Sequence, residues 1–406
     1  MFKAMVTAIV TSVALGTAGV DAATLCPRPR WVGVWAASPS DGSGAAFVDQ
    51  TLRLVVNPTY RGSRVRVRLS NRFGSSPVTF GAVTVARRLA GAAIVPRSTR
   101  VVRFAGETAV TIAPGGEVVS DQTRFKVAAF EDVVVNAHVM ASGPATEHAD
   151  ALQTSFVSPM GSGDQTTDET GTSFTQSITT WPFLTDLEVR ASRRVAAVVA
   201  IGDSITDGHG STIDTNSRYP DLLARRVAAE RRLHIAVQNS GIGGNRVLRD
   251  GTAIRFGPAL LDRLDADATG QAGAGIVILM EGTNDLALEP TATSAEVIAG
   301  LQSAVDRLHV AGLRVILGTQ APCNDPAFGQ GTPTAVAARN EINQWIRTAG
   351  AADGVVDFHA VLRDPADPDR LRADLDSGDH LHPSAAGYQA MADAVDLSLL
   401  EDAPCR

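Results

Sequence analysis

The pattern of apolar and polar residues changes once along this 406-residue chain. From Trp31 to about Arg190 the two kinds of residue alternate, and segments rich in Gly, Pro, Asn and Ser interrupt the alternation. The clearest alternating segments are RVRVRLS (64–70), VTFGAVTVA (78–86), TRVVRFA (99–105), TAVTIA (108–113) and VVVNAHV (133–139). This pattern is typical of half-buried antiparallel strands. We therefore predict an all-β sandwich, of jelly-roll type, over residues 27–190, with a surface loop at 157–180.

From Val195 onward, short continuous apolar runs alternate with helical patterns. The runs are VAAVVAI (195–201), IAVQN (235–239), GIVILME (275–281), LRVILGT (313–319) and GVVDF (354–358). The helical patterns cover residues 219–232, 255–266, 294–311, 334–349 and 384–400. Strands of this kind, separated by amphipathic helices, indicate a parallel sheet covered on both faces. We predict an α/β domain over residues 195–402, with a flavodoxin-like, doubly wound, five-stranded parallel sheet.

The first 22 residues have the composition of an export signal. Lys3 precedes an apolar run that ends in small residues before Ala22. This order predicts a signal peptide, residues 1–22, that is cleaved near Ala22, and hence a secreted, extracellular protein. The run is short and interrupted for a membrane span. Since no other stretch is apolar enough, we expect no integral membrane span after cleavage.

Charge excludes one class of partner. The formal net charge is −7, and no cluster of Lys and Arg is present to neutralise phosphates, so we expect no nucleic-acid partner. No pair of cysteines has the spacing of zinc ligands, and we expect neither a cofactor nor a metal. The sequence leaves the oligomeric state open.

Chemically useful residues follow several of the predicted strands. Ser204 stands in Gly-Asp-Ser after the first, a glycine turn at 241–244 follows the second, and Asn284 follows the third. Asp379 and His382 come after the fifth. Because parallel sheets place their sites beyond the carboxyl ends of their strands, we expect these residues to converge.

These residues suit acyl transfer. A serine hydroxyl needs a neighbouring base, and His382 can supply it if Asp379 orients the imidazole. The backbone N–H of Ser204, the N–H of Gly244 and the side-chain amide of Asn284 are the predicted oxyanion-hole donors. Each motif alone also has a purely structural explanation, such as a helix cap or a tight turn. His380 lacks an acid three residues before it, and we do not expect it to be the base.

The blocks GDSIT, GIGGN, GTND and DHLHP resemble the signature blocks of the SGNH, or GDSL, hydrolase superfamily. The resemblance covers about residues 195–400 and implies a serine nucleophile at Ser204, an Asp379–His382 pair, and oxyanion donors at Ser204, Gly244 and Asn284. Ile205 stands where the name-giving motif has Leu. The family's spacing favours Gly244 over Gly243 as the donor, although Gly243 remains an alternative. The preceding sandwich is similar to that of a group of secreted bacterial GDSL esterases.

We therefore expect a secreted serine hydrolase of carboxylic esters with short acyl or acetyl groups, which carbohydrate can carry. The mostly polar segment 322–333 (PCNDPAFGQGTP) favours small or carbohydrate-linked esters over long acyl chains. The alternatives are a lipase or lysophospholipase, and a non-catalytic carbohydrate-binding protein. The sequence determines neither the acyl group, nor the alcohol, nor the purpose of the sandwich.

Three cysteines follow the leader: Cys26, Cys323 and Cys405. Cys323 follows the fourth strand and should lie on the side of the site, whereas the last helix should carry Cys405 about 25 Å away, at 1.5 Å per residue. Because a disulfide tolerates only about 7 Å between Cα atoms, we predict a Cys26–Cys405 bridge. The alternative is that all three thiols are free.

Overall fold

The computed structural model describes residues 30–191, 195–325, 327–401 and 403. The predicted signal peptide and the predicted Cys26–Cys405 bridge lie outside these residues. Cys323 is buried and is a free thiol. None of the described helices has the length and apolar character that crossing a membrane requires.

The N-terminal region, residues 30–191, consists mostly of β-strands. Its strands are β1 (Arg30–Ala36), β2 (Ala46–Val56), β3 (Val65–Ser70), β4 (Val78–Ala90), β5 (Ala93–Ile94), β6 (Arg100–Val102), β7 (Val110–Ile112), β8 (Glu117–Val119), β9 (Val133–Pro144), β10 (Glu147–His148), β11 (Ser155–Val157), β12 (Gln176–Ile178), β13 (Trp181–Pro182) and β14 (Leu184–Ala191).

Two sheets of this region bury one hydrophobic core, which confirms the predicted all-β layers. One sheet has the order β1-β14-β3-β8, and the other has the order β12-β11-β2-β9-β4-β5, with β6 and β7 also paired to β4. The core takes apolar side chains from both sheets, among them Val67 and Leu187 from the first and Leu54 and Val135 from the second. The segment predicted as a surface loop at 157–180 differs in part, because its residues Gln176–Ile178 pair with β11.

The C-terminal region contains the predicted five-stranded parallel sheet. Its strands are β15 (Ala196–Gly202), β16 (Ile235–Gly241), β17 (Ala274–Met280), β18 (Arg314–Gly318) and β19 (Gly354–Val356). Their order is β16-β15-β17-β18-β19, the doubly wound arrangement in which the strand order reverses at the first strand. The predicted domain boundaries, 27–190 and 195–402, each extend past the described residues.

Helices cover both faces of this sheet. They are α1 (Ser204–Asp207), α2 (Tyr219–Ala229), α3 (Leu260–Leu264), α4 (Ser294–Val310), α5 (Pro333–Thr348), α6 (Phe358–Leu362) and α7 (Ala385–Ala394). Apolar side chains of α2, α6 and α7 pack on one face, and those of α3, α4 and α5 pack on the other. The helix predicted over 255–266 is broken, because Gly257 and Pro258 interrupt it between a short 3₁₀ turn and α3.

The two regions are packed together along β1 and β16. Val195, Ala197 and Ala236 of the C-terminal region belong to the core of the β-rich region. A Cβ atom at Gly33 of β1 would lie 2.0 Å from the Gln238 side chain of β16, so close contact here requires glycine. The packing brings the end of β10 to the carboxyl edge of the parallel sheet, where the predicted site lies.

Candidate active site

Ser204 lies where β15 ends and the one-turn helix α1 begins. The carboxylate of Asp203 accepts a hydrogen bond of 3.0 Å from the Ile205 backbone N–H, and thereby caps the first turn. This tight change from strand to helix places the Ser204 hydroxyl at the carboxyl edge of the sheet, as predicted.

Ser204, His382 and Asp379 form one hydrogen-bonded chain. The Ser204 Oγ and His382 Nε2 atoms are 2.8 Å apart, and His382 Nδ1 lies 2.7 Å from Asp379 Oδ2. The other Asp379 oxygen accepts from the backbone N–H groups of Leu381 and His382. Burial opposes ionisation of Asp379, but hydrogen bonds from the His382 ring and from these N–H groups hold its pKa below the ordinary value. An ionised Asp379 keeps the Nδ1–H tautomer of His382, so that Nε2 can accept a proton from Ser204.

His380 takes no part in this chain. Its side chain is about half exposed, and its Nδ1 atom lies 2.6 Å from Asp376 Oδ2. The backbone φ of His380 is +63°, and its ring contacts Asp376, whereas the His382 ring contacts Ser204 and Asp379. The expectation that His380 is not the base therefore agrees with this geometry.

The glycine turn distinguishes between the two predicted donors. The Gly243 N–H donates to the Asp207 carboxylate at 3.1 Å, whereas the N–H groups of Gly244 and Ser204 have no partner among the described residues. The φ of Gly244 is +73°, and a Cβ atom there would lie 2.3 Å from the Phe256 ring. The turn thus requires glycine at position 244 and leaves its N–H available to an oxyanion.

Asn284 is held from both ends of its amide. Its Nδ2 donates to the Asn245 carbonyl at 2.9 Å, and its Oδ1 accepts from Gln330 Nε2 at 3.0 Å. One N–H of the amide remains for a ligand. The role of Gln330 was not predicted, because nothing in the segment around it suggests a contact with Asn284.

A cavity of about 570 Å³ opens over Ser204. One part of its lining is apolar and includes Ile242, Phe256, Leu288, Phe328 and Leu381. Another part is polar. Four of the cavity's lining residues come from the β-rich region: Ser40, His148, Ala149 and Asp150. The sequence analysis missed these four, since they are far from the motifs along the chain and reach the cavity only through the packing of the two regions.

Asp207 connects the β-rich region to the glycine turn. One of its oxygens accepts from Gly243, and the other lies 3.1 Å from Nε2 of the buried His148. The Nδ1 atom of His148 lies 2.8 Å from the Ser38 carbonyl. Burial lowers the pKa of His148, but the neighbouring Asp207 carboxylate outweighs burial and raises it. The position of the glycine turn therefore depends on a histidine from the β-rich region.

A buried guanidinium lies beneath the site. Arg263 is fully buried and donates to the Gly202 carbonyl at 2.9 Å, to the Ser240 carbonyl at 2.7 Å and to Asn245 Oδ1 at 2.8 Å. These contacts join the ends of β15 and β16, from which Ser204 and the glycine turn project. Burial raises the pKa of the nearby Asp203 to about 7 and that of Glu281 well above its ordinary value.

Three ligand-type side chains meet at the cavity. The nearest ligand atoms of His209, Asp379 and His382 lie within 4.8 Å of one another, and they form the only such group of three among the described residues. Both ring nitrogens of His382 are already in contact with Ser204 and Asp379. The arrangement therefore suits proton transfer between neighbours better than metal binding.

The comparisons with known proteins concern the C-terminal region. Residues 200–390 match the model of the GDSL-like lipase/acylhydrolase family. No curated protein matches the chain.

Three solved structures are among those similar to about half of this chain. A GDSL-like lipase from Bacteroides thetaiotaomicron is 19% identical, with a TM-score of 0.38, over 50% of this chain and 88% of its own. A carbohydrate acetylesterase from Sinorhizobium meliloti is 16% identical, with a TM-score of 0.37, over 49% of this chain and 95% of its own. The aryl esterase of M. smegmatis is 17% identical, with a TM-score of 0.39, over 49% of this chain and 95% of its own.

The family match and the five-stranded parallel sheet coincide in the part of the chain that carries the four sequence blocks. Residues 200–390 thus form a domain of the GDSL-like lipase/acylhydrolase family, and the protein is a carboxylic-ester hydrolase.

Proposed function

We propose that the protein is a secreted serine esterase that cleaves short acyl esters, including acetyl groups on carbohydrate, through an acyl-enzyme on Ser204. The observation that carries the proposal is the hydrogen-bonded chain from Ser204 through His382 to Asp379. Export rests on the composition of residues 1–22 alone.

The reaction follows from these contacts. Ser204 Oγ attacks the ester carbonyl carbon while His382 Nε2 takes the hydroxyl proton. The oxyanion accepts hydrogen bonds from the N–H groups of Ser204 and Gly244 and from the Asn284 amide. When the carbon–oxygen bond breaks, His382 returns the proton to the departing alcohol. Water then attacks the acyl-enzyme, again with His382 as base, and the acid and free Ser204 are released.

Two bulky side chains favour a short acyl group. The Phe256 ring packs against Gly244, and Gln330 is hydrogen-bonded to Asn284, so both flank the proposed oxyanion donors. The ester carbonyl must lie between those donors, which leaves limited space for the acyl chain beside it. The apolar residues Leu288 and Phe328 favour the second candidate, a lipase or lysophospholipase. Rates on p-nitrophenyl esters from acetate to palmitate separate the two.

The nucleophile is tested by Ser204→Ala. We expect kcat/KM for p-nitrophenyl acetate to fall by about 10³-fold or more, because removing a triad member leaves only the contributions of the oxyanion hole and of substrate binding. A serine-directed phosphonate should label Ser204, as judged by mass spectrometry of peptides. Ser217→Ala is the matched control, since the hydroxyl of this serine lies 2.7 Å from that of the exposed Thr215. A loss below tenfold in Ser204→Ala would place the nucleophile elsewhere.

A further inference from the structure

The polar side of the cavity contains a second histidine–aspartate pair, which the proposed triad does not use. The Nδ1 atom of His209 lies 3.2 Å from Asp150 Oδ2, and both side chains are about half exposed. Asp150 belongs to the β-rich region, whereas His209 follows α1. The Nε2 atom of His209 has no partner among the described residues, so it is available to a ligand in the cavity.

The pair lies beside the proposed base, because the His209 ring packs against the His382 ring. The His209 and His382 rings are 4.4 Å apart at their centroids, with an angle of 56° between their planes. In ester cleavage, the base must return its proton to the oxygen of the departing alcohol, and that oxygen therefore lies beside His382 Nε2. The groups packed next to His382 consequently border the alcohol, while Gly244 and Asn284 border the carbonyl.

The chemistry of the pair suits hydroxyl groups. The Asp150 carboxylate accepts hydrogen bonds, and a histidine whose Nδ1–H is engaged presents Nε2 as an acceptor when neutral and as a donor when charged. The hydrogen bond with Asp150 raises the pKa of His209, although burial opposes it, and so favours the donor form. An apolar alcohol would displace water from these polar groups without replacing the hydrogen bonds of that water. Its binding beside them is therefore not favoured.

We propose that Asp150 and His209 form the alcohol subsite of the enzyme, and that this subsite selects esters whose alcohol carries neighbouring hydroxyl groups, as in an acylated sugar. The β-rich region then supplies half of this subsite. The inference rests on the proposed function, because it uses His382 as the group that protonates the departing alcohol.

Two acetate esters test the proposal. A monoacetylated methyl glucopyranoside and cyclohexyl acetate both release an alkyl alcohol from a six-membered ring, and both need protonation by the base, but only the first carries hydroxyl groups. We expect the wild type to prefer the glycoside. In His209→Ala and in Asp150→Ala, the ratio of the two kcat/KM values should fall by about tenfold, the effect of losing one or two hydrogen bonds. The change should appear mainly in KM.

The control is His309→Ala. His309 pairs with Asp353 at 2.9 Å with similar exposure, but it lies at the C-terminal end of α4, away from the cavity, and the ratio should not change. Equal losses on both esters would show that His209 only supports His382 and would overturn the proposal, as would a wild type without preference for the glycoside. If neither these esters nor p-nitrophenyl acetate is hydrolysed, or if Ser204→Ala remains active, it is the proposed function that fails.

Discussion

The chemistry of the site depends on the orientation of single side chains, and Asn284 is an example. Its amide is oriented by Asn245 on one side and by Gln330 on the other, and this leaves one N–H for the substrate. A donor fixed in this way need not reorganise when negative charge develops on the carbonyl oxygen, and such preorganisation is the main source of transition-state stabilisation in acyl transfer.

Asn284→Ala should therefore lower kcat by about 10²- to 10³-fold and change KM little, because an oxyanion donor acts mainly in the transition state. Steady-state kinetics on p-nitrophenyl acetate measure both constants. Asn340→Ala is the matched control, since this exposed asparagine bonds to Asp369 and should leave both constants unchanged. An effect of Asn284→Ala confined to KM would make Asn284 a substrate-binding residue.

Five residues of the site could be predicted from the sequence. Ser204, Gly244 and Asn284 each follow a recognisable strand. Asp379 and His382 have the Asp-x-x-His spacing. The residues that surround these five were not predictable. Gln330 lies in a segment without motif or periodicity, and His148 and Asp150 belong to a different region of the chain. The spacing of residues along a chain reports local geometry only, whereas these contacts arise between segments that are distant in sequence.

On the scale of single elements, Asp203 at the junction of β15 and α1 caps the helix and is also a buried titratable group. Burial raises its pKa to about 7, against the hydrogen bond from Ile205 and together with the charge of Asp285. In an unfolded chain the same group ionises near pH 4. Between these two pH values the folded protein keeps a proton that the unfolded chain has lost, so this residue's contribution to stability falls as the pH rises from about 4 to about 7.

Asp203→Asn removes this dependence and keeps a cap, since the asparagine oxygen also accepts from Ile205. We expect the free energy of unfolding of the variant, relative to wild type, to rise by about 2–4 kcal/mol between pH 4 and pH 8, as measured by urea denaturation. The control is Asp396→Asn, whose carboxylate caps an exposed 3₁₀ turn and has a pKa lowered by the hydrogen bond from Ser398. Because hydrogen bonding lowers the pKa of Asp396 from a value already near 4, the difference for this control should stay nearly constant between pH 4 and pH 8. A pH-independent difference for Asp203→Asn would refute the argument.

On the scale of the whole molecule, buried contacts join the two regions. Thr59 of the β-rich region donates to the Val34 carbonyl or to the Val237 carbonyl, and its Oγ1 accepts from the Val237 N–H at 3.0 Å. Apolar residues from both regions share one core. Because neither region can separate without exposing this core, we expect one cooperative unfolding transition.

Thr59→Val should lower the free energy of unfolding by about 1–3 kcal/mol, because it leaves buried polar groups of Val237 without partners. Calorimetry should still show a single transition. Thr79→Val is the control, since the bond between Thr79 and Thr111 is exposed and its loss should cost far less. Two separate transitions in the wild type, or equal losses in the two variants, would show that the regions are energetically independent.

The sequence by itself determined the two fold classes, the positions of the motifs after the parallel strands, and the esterase chemistry. These features depend on periodicity and on short spacings, which involve only residues close together in the sequence. Only the tertiary structure decided that the β-rich region lines the cavity, that Gly243 is engaged by Asp207, and that Asp150 reaches His209. These contacts join residues far apart in sequence, and they exist because burial of the shared core along β1 and β16 brings the two regions together.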